Sequence, residues 1–148
     1  MIVVDANLLL YAFDTASDKH DRARRWLETI FSSGVAVGLP WSAVAAFLRV
    51  VTNSRIPGKR FTVEEAIQIV DEWLEQPNVR VLAPADQHWS VFRQMLLRGQ
   101  AKGPLVTDAQ LAALAHEYGV VLYSADRDFA RFPGLRWINP IEKTNEEV

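Results

Sequence analysis

The chain has 148 residues, 49% of them hydrophobic, no cysteine, and a formal charge of -2. That length suits one domain, which buries roughly 68–70% of its unfolded surface and needs no covalent staple. Lack of cysteine excludes a disulfide framework or a thiolate zinc site, and the near-neutral charge excludes a whole-molecule pull toward nucleic acid, leaving only local basic patches.

The opening stretch, MIVVDANLLLYAF, has no basic leader and carries Asp5 inside its apolar run, so it reads as a strand and not as a signal peptide. No stretch is long and charge-free enough to span a bilayer. Taken in order, Ile2–Asp5, Val35–Gly38, Val79–Leu82, Val120–Tyr123 and Leu135–Ile138 read as strands. Helical spacing recurs between them. Ala23, Trp26, Leu27, Ile30 and Phe31 share one face, as do Val63, Ala66, Ile67, Val70, Trp73 and Leu74, and later Leu111, Leu114, Ala115 and Tyr118. Trp41–Val51 is apolar almost all round, which predicts a buried helix. Strands joined by helices pair in parallel, so the expected fold is a three-layer α/β/α sandwich around a central, mostly parallel five-stranded sheet. Residues 1–140 form the domain in this reading, and 141–148 a short polar tail.

Ligands of such sheets bind at the carboxyl ends of the strands. Asp5 closes the first strand; Asp126 and Asp128 follow the strand ending at Tyr123; Asp108 opens the helix leading into that strand. A crossover helix runs antiparallel to its strands, so all these acids belong on one rim. At ~4 Å and an effective dielectric of ~20, two carboxylates repel by about 4 kcal/mol. The rim therefore keeps a proton or binds a hard cation such as Mg²⁺, which takes oxygen ligands. Such an ion activates water and stabilises charge on a phosphodiester. Each acid also has a plainer use: Asp5 or Asp108 as a helix cap, Thr107 likewise, Asp126 and Asp128 as turn residues.

The pieces VVDANLLLYA, PWSAVAAFLRVVTN, TDAQLAALA and SADRDFARFPGLRWINP, in that order, resemble the PIN-domain family and within it VapC-type toxins of toxin–antitoxin pairs. The resemblance covers nearly the whole chain and implies an endoribonuclease dependent on Mg²⁺, with Mn²⁺ as a substitute. It implies a cytoplasmic homodimer that cuts structured RNA, tRNA or rRNA, and is held inactive by a cognate antitoxin. Carried over by position, Asp5, Asp108 and Asp126 match metal carboxylates and Asp128 an auxiliary one; Asn7, Thr107 and Ser124 match supporting polar groups. One position departs. The family's glutamate in the helix after the second strand is Ala46 here, and no acid lies between Glu28 and Glu64. That gap motivates a second reading, a PIN fold with weakened chemistry that binds RNA or a protein.

Basic side chains gather at Arg55, Lys59 and Arg60 around Pro57-Gly58, which makes them candidate RNA contacts, and again at Arg22, Arg24 and Arg25. Trp41, Trp73, Trp89 and Phe92 read as core or dimer contacts, and His20, His88 and His116 as structural or surface residues. A haloacid-dehalogenase-like phosphatase wants a second aspartate where Asn7 stands. A response-regulator receiver wants a lysine after its last strand, where this chain has Asn139-Pro140.

Overall fold

Strand β1, Ile2–Val4, shows how the sheet divides the molecule. Successive strand side chains point to opposite faces, and here Ile2 and Val4 join one core while Val3 joins the other. In the computed structural model, which describes residues 1–56 and 60–143, five strands form one sheet of order β3-β2-β1-β4-β5, every pairing parallel. The remaining strands are β2 (Val37–Pro40), β3 (Val79–Leu82), β4 (Val121–Tyr123) and β5 (Trp137–Ile138). The expected three-layer sandwich is the fold observed, with a sheet that is wholly parallel.

One layer consists of helices α1 (Ala6–Phe13), α2 (His20–Phe31), α3 (Trp41–Val51) and α4 (Val63–Glu75). Their apolar faces meet in a core containing Leu8, Leu9, Leu27, Phe47 and Trp73. Half-buried Phe13 packs against it, its ring edge-on to Phe47, Phe61 and Trp73 at 5.6–6.2 Å. The other layer holds α5 (His88–Arg98) and α6 (Leu105–Tyr118). Ala109, Ala112, Ala113 and Ala115 of α6 are all fully buried, because small side chains let this helix lie close against the sheet. Among the described residues, no helix is long and apolar enough to cross a membrane.

Three expectations need correction. The second strand starts two residues later than Val35 and runs through Pro40. Asn78 explains the shift: its amide donates to the carbonyls of Ile30, Ser33 and Val35, fixing that stretch as a turn before the strand begins. Helix α3 is not buried all round. Ala43, Val44, Phe47 and Val51 face the core, while Trp41, Ala45 and Arg49 are exposed. Helix α5 was not foreseen, although Val91, Phe92, Met95 and Leu96 carry a helical spacing and pack in the second core.

Packing also extends past the expected domain end. Ile141 is buried in the first core, and residues 144–148 of the polar tail lie outside the described residues, as does Lys59. Of the histidines, His20 Nδ1 meets the Tyr11 carbonyl at 3.0 Å and His88 meets buried Glu117 at 3.0 Å, each fastening the start of one helix to another element. His116 is exposed.

Candidate metal centre

Strands β1 and β4 are neighbours, with Val4 opposite Tyr123, so the residues that follow them emerge side by side. The Asp5 N–H continues the ladder onto the Tyr123 carbonyl at 3.0 Å. Asp5 then turns the chain into α1 as its N-cap residue, but its side chain makes no capping hydrogen bond. That carboxylate instead accepts the Ser124 hydroxyl at 2.7 Å. The short contact of the Asp5 carboxylate is thus across the sheet, with the N–H groups at the start of α1 adding weaker support.

Ser124 is the hub of the rim. It is fully buried, and its Oγ donates to Asp5 while accepting from the Asn7 amide at 3.1 Å and the Asp126 N–H at 3.0 Å. Asn7 closes the circuit by accepting, through its Oδ1, the N–H of Ala125 at 3.4 Å. Main-chain groups lock the serine as well: its N–H donates to Ile138 and its carbonyl accepts the Trp137 indole N–H at 2.9 Å. One hydroxyl thus ties the ends of β1 and β4 together with every hydrogen-bonding capacity it has.

Asp126 has two jobs. Its Oδ1 accepts the Asp128 N–H at 2.9 Å, capping the short 3₁₀ helix Arg127–Arg131, so the turn role foreseen for it is real. That cap leaves Oδ2 to the rim and brings Asp128 round. Asp108 arrives from the first turn of α6, whose start at Leu105 follows Pro104, so neither Asp108 nor Thr107 is the N-cap. Thr107 instead donates its hydroxyl to the Pro104 carbonyl at 3.1 Å, a contact internal to the helix start. Carboxylate oxygens of Asp108, Asp126 and Asp128 lie within 4.8 Å of one another; Asp5 is outside that close group but is coupled through its charge to Asp126 and Asp108.

Crowding shows in the acid–base properties. Burial raises the Asp5 carboxyl above its ordinary value; the Ser124 hydroxyl and the N–H groups of Ala6 and Asn7 pull it back, and Asp126 pushes it up again. Asp108 is raised to about 6, first by desolvation and then by Asp126, Asp5 and Asp128, with Arg131 opposing. Arg131 escaped the sequence reading. It carries positive charge toward this rim while its guanidinium donates to the Gly99 carbonyl at 3.1 Å, which anchors it on the end of α5. Its only signal was a basic residue five positions after Asp126.

Protons held by Asp5 and Asp108 in the folded chain are released on unfolding, where an aspartate titrates near 3.8. The native state therefore binds more protons between 3.8 and about 6, and stability must fall as pH rises through that window. Without metal, the melting temperature is expected to drop between pH 5 and pH 7, less so in Asp108→Asn. Mg²⁺ or Mn²⁺ should restore it at pH 7 and have little effect at pH 5. A flat profile that ignores both metal and the substitution would show that the carboxylates do not crowd.

Of the expected RNA contacts, the two described ones, Arg55 and Arg60, are not among the charges that act on the rim aspartates. Arg55 is exposed on the loop after α3, and Arg60 precedes Phe61, which packs on Phe13. Phe13 ends α1 at the far side from Asp5, and eight helical residues span about 12 Å.

A parallel sheet that gathers carboxylates beyond the ends of β1 and β4 is the arrangement of a PIN domain. The PIN domain family matches residues 2–135, and the chain belongs to that family. Ribonuclease VapC33 of Mycobacterium tuberculosis is 38% identical over 143 residues, which is 97% of this chain and 100% of that one. Among solved structures, VapBC2 from Rickettsia felis, bound to a promoter DNA fragment, superposes with a TM-score of 0.68 at 19% identity, covering 94% of this chain and 98% of the other. VapC20 of Mycobacterium tuberculosis, a sarcin–ricin-loop-cleaving toxin, superposes with a TM-score of 0.65 at 20% identity, covering 92% and 99%. At those identities the two superpositions speak for the fold.

Proposed function

We propose that this chain is the ribonuclease toxin of a toxin–antitoxin pair, cutting RNA phosphodiesters with the help of a divalent cation held at the acidic rim. The observation that carries this reading is the approach of Asp108, Asp126 and Asp128 within 4.8 Å, with half-buried Asp5 coupled to Asp108 and Asp126. Relatives of nearly the same length named as VapC ribonucleases support the activity.

The donor set fits a hard divalent ion. Every candidate ligand is a carboxylate oxygen, and Mg²⁺ or Mn²⁺ prefers oxygen over nitrogen or sulfur. Asp5, Asp108 and Asp126 would hold it, and Asp128 supplies the carboxylate that Ala46 does not. When bound, such an ion lowers the pKa of water and offsets negative charge on the phosphodiester. The protein's own part is positional. Ser124 and Asn7 hold the Asp5 carboxylate at the strand end, and the 3₁₀ helix holds Asp126 and Asp128 toward Asp108. Arg131 offsets part of the repulsion at Asp108. Exposed Arg55 suits phosphates farther along the RNA, with Lys59 and Arg60 following it in sequence.

The partner is an antitoxin, as in the toxin–antitoxin complexes with which the fold superposes. The family's homodimer would offer cover to Trp41 and Trp89, which are 57% and 67% exposed in the single chain. A cytoplasmic location fits a ribonuclease.

Purified protein is expected to cleave total tRNA or rRNA in Mg²⁺ or Mn²⁺, with EDTA stopping the reaction and metal restoring it. Tight RNA binding with no scission in either metal would overturn this reading in favour of a binding module at which the missing glutamate has cost the chemistry.

A further inference from the structure

A cavity of about 280 Å³ opens beside the residues that follow β4. Ala125 lines it, and Ala125 lies between the hub Ser124 and the rim carboxylate Asp126. Its chemistry is opposite to that of the rim. Lys19, Arg22, Arg127 and Lys143 line it, against two acids, Asp18 and Glu142. Arg22 Nη1 is buried and has no hydrogen-bond partner among the described residues. A desolvated guanidinium N–H without a partner is costly, and turning it onto an anion in the cavity removes that cost.

Other features point the same way. Lys19 is the N-cap residue of α2, so the positive end of a 12-residue helix faces this region, as suits an anion. Its ammonium is held 4.8 Å over the Tyr11 ring. Arg127 is paired with Glu142 at 2.9 Å, but both side chains are largely exposed, and such pairs exchange partners readily. The three arginines of early α2 are thereby separated in role. Arg24 pairs with Glu28 at 3.4 Å and Arg25 lies on another surface, so only Arg22 reaches the rim side.

We propose that this cavity holds an RNA backbone phosphate adjacent to the one cut at the acidic rim, with Arg22 as its principal donor and Lys19, Arg127 and Lys143 in support. The proposal rests on the ribonuclease reading above and names how that site takes its substrate. Carboxylates alone repel RNA; a basic cavity one residue from Asp126 orients the strand so that the scissile phosphate falls among them. The planar guanidinium suits a phosphate better than a point charge does.

Binding of bulk tRNA in EDTA, measured across a salt series, separates the alternatives. Arg22→Ala is expected to weaken binding about tenfold and to reduce the log–log salt slope by about one. Arg22→Lys should recover part of the affinity, Arg24→Ala none of the loss being seen, and Mn²⁺ uptake by Arg22→Ala should match the parent protein. Exposed Arg127→Ala and Lys143→Ala carry the same test if Arg22→Ala does not fold. Unchanged affinity and salt slope in all of these, in a protein that still cleaves RNA, would overturn the cavity assignment and leave the ribonuclease standing. A parent protein that neither binds nor cleaves RNA would overturn both.

Discussion

Asp126→Asn is expected to lower RNA cleavage by about three orders of magnitude or more while leaving the fold intact. The arithmetic is short. A metal-held carboxylate site supplies several kcal/mol of charge stabilisation, and each 1.36 kcal/mol is tenfold in rate. Asp126 is the carboxylate best connected to the rest: it lies in the close group with Asp108 and Asp128, and it also raises Asp5. Asparagine keeps an oxygen to accept the Asp128 N–H, so the 3₁₀ helix retains its cap. Removing one charge from a repelling cluster should also hold or raise the melting temperature at neutral pH in EDTA. Single-turnover cleavage and a metal-free melt test the two halves separately. A variant that cleaves like the parent would remove Asp126 from the catalytic set. One that is inactive and unfolded would show that the residue is structural.

Ser124→Ala should damage both stability and metal binding, by a different route. The substitution deletes the hydroxyl that donates to Asp5 and accepts from Asn7 and the Asp126 N–H. Two half-buried donors lose their acceptor, at up to about 1–3 kcal/mol for each group left unpaired, less where water reaches it. Asp5 also loses its strongest opposition to the upward push of burial, so its carboxyl rises further and binds metal less well as pH falls. Losing a group that orients a ligand typically costs 10–100-fold in metal affinity or activity. A melt in EDTA and Mn²⁺ titrations at pH 6 and pH 8 test this, the loss being greater at pH 6. Parent-like affinity at both pH values would show that Asp5 needs no partner to stay ionised.

The motifs at Asp5, Asp108 and Asp126 were legible because a parallel α/β order fixes which ends of its elements meet. A β1 carboxylate, a crossover-helix start and a post-β4 turn converge whatever the details. The hydroxyl of Ser124 was legible only as a supporting group. That it is fully buried and bonded three ways depends on Val4 lying opposite Tyr123, and strand pairing is a long-range fact. Helix α5 was missed although its spacing is helical, since the apolar positions there are diluted by His88, Trp89 and Arg93. Helix α3 was misjudged for the opposite reason. Composition shows that Trp41 and Ala45 are apolar, not that the chain leaves that face open.

By itself, then, the sequence determined the alternation of strands and helices, the parallel sheet that alternation compels, and the edge on which the acids collect. Those follow from local spacing and from the length a parallel crossover requires. Only the tertiary structure decided that Asp5 accepts the Ser124 hydroxyl, that Arg131 opposes the charge at Asp108, and that Arg22 parts from Arg24 and Arg25 to line a cavity beside the rim. Each of those depends on distances between segments far apart in the chain, where burial and charge act through space and leave no periodic trace.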